Sequence, residues 1–100
     1  MSEKKPQEVK LEIQLDEDIA QGVYVNLAAV NHNDSEFVVD FIFVQPQAPR
    51  AKVRSRVILS PQHAKRFASA ILENVNRYEQ NFGEIEAGVP PVDEADGHYH

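Results

Sequence analysis

The chain has 100 residues, 42% of them hydrophobic, and sets 10 Lys and Arg against 16 Asp and Glu for a formal net charge of −6. The length fits one small domain, and the apolar content is too high for a disordered chain. With no cysteine in the sequence, disulfide frameworks and thiolate zinc sites are excluded. No wholly apolar run exceeds four residues, as in Phe41 to Val44, whereas a membrane-spanning helix needs about 20. No apolar stretch follows Met1-Ser2-Glu3-Lys4-Lys5-Pro6 as it would in a secretory signal. The expectation is a soluble cytoplasmic protein.

In chain order, residues 1–8 are charged and polar and read as a flexible lead-in. Val9 to Leu15 alternates apolar and polar residues strictly, the period of a half-buried strand. Asp16-Glu17-Asp18 reads as a polar connection. Val23 to Val30 is the second expected strand, and Asn31-His32-Asn33-Asp34-Ser35 is a run of turn formers that should send the next strand back antiparallel. Phe37 to Val44 is the third strand. Phe37, Val39, Phe41 and Phe43 share one face, while Val38, Ile42 and Val44 share the other with Asp40. Pro46 and Pro49 mark a loop, and Val53 to Leu59 is the fourth strand, with Lys52, Arg54 and Arg56 expected to point to one face.

Ser60-Pro61 opens a helix, serine as N-cap and proline at the first helical position. Ala64, Phe67, Ala68, Ile71, Val75, Tyr78 and Phe82 recur at three- and four-residue steps and form one apolar stripe. Gly83 stops the helix after about 22 residues, roughly 33 Å. The tail from residue 87 contains Pro90-Pro91, Gly97 and three acids and reads as disordered. The expected fold is α+β: a four-stranded antiparallel meander followed by one long C-terminal helix, a single domain over residues 9–86. One helix covers one sheet face only, yet the third strand is apolar on both. A homodimer or higher homo-oligomer is therefore expected, with a sheet that curls into a partial barrel as the competing solution.

Charge is concentrated. Arg50 to Arg66 holds six cations and no carboxylate, whereas residues 1–49 carry three cations against nine acids and residues 67–100 one against seven. Like charges gathered in one stretch cost stability unless something offsets them. Lys65 and Arg66 fall in the first turns of the helix, where the partial positive charge of the N-terminus favours anions instead. Arg50, Lys52, Arg54, Arg56, Lys65 and Arg66 are the candidate partner-binding residues. Three readings of this island stand open: internal pairing, an acidic protein partner, and nucleic acid. Nucleic acid ranks last because the chain is acidic overall and Phe37, Phe41 and Phe43 read as core residues that cannot stack bases.

Asp40 stands in the middle of an apolar strand. A buried carboxylate must be paired, so the expectation is a structural ion pair with Arg54 or Arg56 and not a general base. His98 and His100, near Asp93, Glu94 and Asp96, do not make a preformed metal site, and His32 and His63 read as surface residues. No Ser-His-Asp set, glycine-rich phosphate loop or HExxH string is present. No catalytic, metal or cofactor residues are expected, and no enzyme activity.

Asn26, the run Glu36-Phe37-Val38-Val39-Asp40-Phe41, Pro46, the run Arg56 to Arg66 with its Ser-Pro-x-x-Ala-Lys-Arg step, Tyr78-Glu79 and Phe82-Gly83-Glu84-Ile85 carry a resemblance to a family of small bacterial proteins, the domain-of-unknown-function family number 3467. The resemblance covers about three-quarters of the chain and implies no activity. It does imply a gene position beside those of the RNA polymerase large subunits, and with it a transcription-linked role. The functional expectation is a non-enzymatic accessory protein, a small homo-oligomer docking on a larger assembly such as RNA polymerase through its basic face. A nucleic-acid-binding factor is the alternative. A holdase chaperone, on the layout that SecB-type export chaperones share, is the second.

Overall fold

The structure is a computed structural model and describes residues 10–88. The expected lead-in, Val9 and the tail from residue 89, with His98 and His100, lie outside the described residues. Within them the fold is α+β. A one-turn helix α1 (Glu17–Ala20) precedes strands β1 (Leu27–His32), β2 (Phe37–Val44) and β3 (Ala51–Leu59), and helix α2 (Pro61–Phe82) closes the sequence of elements. The strands form one antiparallel sheet in the order β1-β2-β3.

Among the described residues the sheet has three strands, against the four that the sequence pattern predicts. Residues 10–16 belong to no strand, and Leu11, Ile13 and Leu15 are exposed. Alternation writes a strand's two faces, but a strand exists only when a neighbour accepts its backbone hydrogen bonds. The second expected strand also begins later, at Leu27 instead of Val23. Asn26 marks that start. Its side-chain amide donates to the Val44 carbonyl at 3.0 Å, and its Oδ1 accepts from the Val44 N–H at 2.8 Å. The side chain thus replaces a backbone pairing where β1 enters the sheet.

The β1–β2 turn is closed by Asn33, whose Oδ1 accepts from the backbone N–H groups of Ser35 (2.7 Å) and Glu36 (2.9 Å). Side chains opposite one another across an antiparallel pair share a face. Val30, Val39 and Val57 therefore lie together, as do Ala29, Asp40 and Arg56. Among the described residues, those most shielded from solvent are Val39, Asp40, Ile42 and Val44, all on β2.

Helix α2 follows β3 after the single residue Ser60. The Ser60 hydroxyl accepts from the His63 backbone N–H at 3.1 Å, and Pro61 occupies the first turn. Gly83 ends the helix at φ 99°, a conformation that costs glycine little. The Glu79 carboxylate then holds the chain by accepting from the Ile85 N–H at 3.0 Å. No residue of α2 is buried, and the helix meets the sheet at β3. Replacing Asn26 with alanine removes two part-buried hydrogen bonds and leaves the Val44 backbone unpaired. Urea unfolding should show a loss of about 2 kcal/mol, against a much smaller change for Asp34→Ala in the exposed turn.

Candidate interaction surfaces

Asp40 is paired with Arg56. The guanidinium reaches across from β3 in a two-pronged contact, Nε to Oδ1 at 2.7 Å and Nη2 to Oδ2 at 2.8 Å. Asp40 is 1% exposed, whereas the Arg56 side chain is 60% exposed. The carboxylate is thus sealed beneath a cation whose outer surface stays wet. The two-pronged geometry fixes the orientation of both groups. Among the described residues no buried side-chain polar atom lacks a hydrogen bond.

The other cations do not form the single face that strict alternation suggests. Phe41 stands opposite Ser55, but the next residue, Ile42, stands opposite Val53, so Arg54 is an extra residue without a partner on β2. This bulge shifts the alternation by one. Lys52 then lies opposite Phe43, on the face of Phe37 and Val39, while Arg56 lies on the face of Asp40. Extra residues of this kind are set by local backbone geometry and leave no mark in an apolar–polar pattern. The helical pair is also set apart: Leu59 is seven residue steps along β3 from Lys52, roughly 23 Å along the strand, before the chain reaches Lys65 and Arg66.

β3 is an edge strand, and Arg50, Lys52 and Arg54 are exposed along it or at its start. Among the described residues no salt bridge engages these three, Lys65 or Arg66; the two ion pairs are Arg56–Asp40 and the helical pair Arg77–Glu73. A cleft of about 560 Å³ opens between Phe43, Gln45, Pro49, Arg50, Ala51 and Lys52. It joins an aromatic wall to two cations. Exposed cations on an edge strand resist unwanted strand pairing, and they equally offer a landing surface for anionic groups.

A second, larger cleft of about 870 Å³ lies between α2 and the sheet face of Phe37, Val39 and Phe41. Composition placed these aromatics in the core, yet the structure leaves them only half-buried. His32 stacks on Phe37 with centroids 5.2 Å apart, and the His63 backbone serves the helix cap. Among the described residues no group of three or more His, Asp or Glu could hold a metal ion, and no helix is long and apolar enough to cross a membrane.

A small meander closed by a single helix, with a cationic edge and an apolar cleft, defines an α+β protein with two surfaces suited to contact. The chain belongs to the family described as protein of unknown function (DUF3467), whose model matches residues 1–87. No curated protein and no solved structure matches it.

The Asp40–Arg56 pair supports a specific expectation. Arg56→Ala strands a buried carboxylate and should destabilise the fold by about 2–3 kcal/mol, below the range for fully buried pairs because the arginine is half in water. Adding Asp40→Val to that variant should recover most of the loss. A double-mutant cycle by chemical unfolding measures both.

Proposed function

We propose that this protein is a non-enzymatic interaction protein, a homo-oligomer that docks on an acidic surface of a larger assembly through the cationic edge of β3. The observation that carries this reading is the placement of Arg50, Lys52 and Arg54. All three are exposed on or beside a sheet edge, and no carboxylate engages them among the described residues. Arg56 is excluded from the docking set because its guanidinium serves Asp40. Arg50 and Lys52 border the 560 Å³ cleft beside Phe43, so an acidic segment carrying an apolar side chain would find both complements in one place.

The homo-oligomer belongs to the same reading. A 22-residue helix without a buried residue, over a half-exposed aromatic sheet face, leaves more apolar surface in water than a small monomer usually tolerates. The alternation of Leu11, Ile13 and Leu15 supports a fourth strand that pairs in the assembled oligomer, with the uncharged β1 edge as its partner. RNA polymerase is the first assembly to test, in keeping with a transcription-linked role in the cell cytoplasm.

The decisive experiment measures binding of the purified protein to purified RNA polymerase and, separately, to DNA and RNA, across a salt series. Binding to the polymerase should fall at least tenfold in the variant Arg50→Glu/Lys52→Glu/Arg54→Glu, while Lys65→Glu/Arg66→Glu has a smaller effect. Tight binding to nucleic acid alone, with a steep loss as salt rises, would move the assignment to a nucleic-acid-binding factor. Polymerase binding indifferent to the triple reversal would remove the β3 edge from the reading.

A further inference from the structure

The cleft between α2 and the sheet is apolar on both walls. Ala28, Val30, Phe37, Val39 and Phe41 form its floor, and the helical half from Ala64 to Val75 forms its roof. The apolar stripe of α2 does not stop there. Tyr78 and Phe82 continue it beyond the cleft for about 10 Å, and they are 51% and 74% exposed. Their rings touch, with centroids 5.0 Å apart at 45°, and so make one aromatic knob at the end of the helix. The molecule therefore presents an open apolar cleft and an overhanging apolar knob on the same helix.

We infer that the occupant of this cleft is a second copy of the chain, with the Tyr78–Phe82 knob of each α2 entering the cleft of the other about a twofold axis. This inference rests on the homo-oligomer reading above and names its interface. A patch that carries both cleft and knob is self-complementary, which is the requirement for a closed twofold contact. The area agrees as well. Val30, Phe67, Ile71, Leu72, Tyr78 and Phe82 are 40% to 74% exposed. Taking full side-chain areas near those of aromatic residues or somewhat smaller, they leave about 600 Å² per copy in water. The half-buried aromatics of the floor add to that, approaching the ~800 Å² per partner of a stable interface.

Charge points the same way. Lys65 lines the cleft without a carboxylate partner among the described residues; Glu79, which also accepts from the Ile85 N–H, lies between Tyr78 and Phe82 in sequence, and Glu84 follows the knob. The segment 10–16 fits the cleft poorly. A strand needs backbone partners, and the cleft is walled by side chains of a sheet face and a helix.

The test combines light scattering over a concentration series with cross-linking. The wild-type chain should form a dimer. Phe82→Glu and, separately, Val30→Glu should each raise its dissociation constant about 30-fold or more, as loss of a central aromatic or apolar contact does. Both positions are exposed in the single chain, so circular dichroism should show the helical content of each variant retained. The natural chain has no cysteine, so Val30→Cys and Phe82→Cys chains can be mixed and treated with a short bismaleimide. A product joining one chain of each kind is expected. A monomeric wild type overturns both the oligomer and this interface. A dimer that Phe82→Glu leaves unchanged, with no mixed cross-link, overturns the interface alone. Particles that grow without limit with concentration overturn the closed twofold arrangement. Binding of an unfolded model polypeptide by a monomeric wild type, lost in Val30→Glu, assigns the cleft to clients instead.

Discussion

A central strand with a carboxylate sealed inside it governs this structure, because that carboxylate tolerates only one alignment of its neighbours. Asp40 is met by Arg56 from β3, while Ala29 stands opposite from β1. Slipping β3 by one residue would turn Arg56 to the other face and leave the charge buried without its cation. That penalty far exceeds the cost of misplacing one apolar side chain. The apolar residues of β2 make the sheet adhesive on both sides, and the ion pair chooses among the ways in which it could stick. Where the register is pinned, Phe37, Val39 and Phe41 must face α2 together.

The same pair sets one cation apart from the other five. Arg56 is used internally, and the bulge at Arg54 begins only two residues away. Beyond it, Lys52 and Arg50 are exposed, with no carboxylate engaging them among the described residues, at the end of the sheet farthest from the start of α2. A run of six cations that looks uniform in composition is therefore one structural arginine, one edge cluster and one helical pair. This sorting confines the docking reading to three residues and gives it a control in Lys65 and Arg66.

Much of the architecture was legible because several signals agreed. β2 occupies Phe37–Val44, where apolar density and β-branched residues coincide, and α2 runs from Pro61 to Phe82, between a serine-proline start and a glycine stop. The features that escaped have physical reasons. The bulge depends on backbone geometry and changes neither composition nor spacing. Val23 to Asn26 reads as strand by residue type, but its pairing is taken over by the Asn26 side chain, so β1 begins later. Lys10 to Leu15 has the pattern of a strand but pairs with neither edge of the sheet, and alternation alone does not say whether a neighbour takes a segment up. The Asp40–Arg56 contact could be narrowed to two arginines by strand neighbourhood, and only the register chooses between them. Neither cleft could be read from the sequence, since the larger depends on how far α2 stands off the sheet and the smaller on the path the chain takes between β2 and β3.

The sheet's two margins differ in kind. Besides Arg56, which Asp40 offsets, β3 bears Lys52 and Arg54, whereas β1, Leu27 to His32, bears no Asp, Glu, Lys or Arg. Electrostatic repulsion therefore defends one border against sideways accretion, and among the described residues β1 carries nothing comparable. Lateral growth has a direction built into it: copies meeting at β1 would be finished after one junction, because each would then present only its cationic rim. The protection holds while those charges stand uncancelled, so an anionic partner that neutralises the rim would also lift the barrier to stacking.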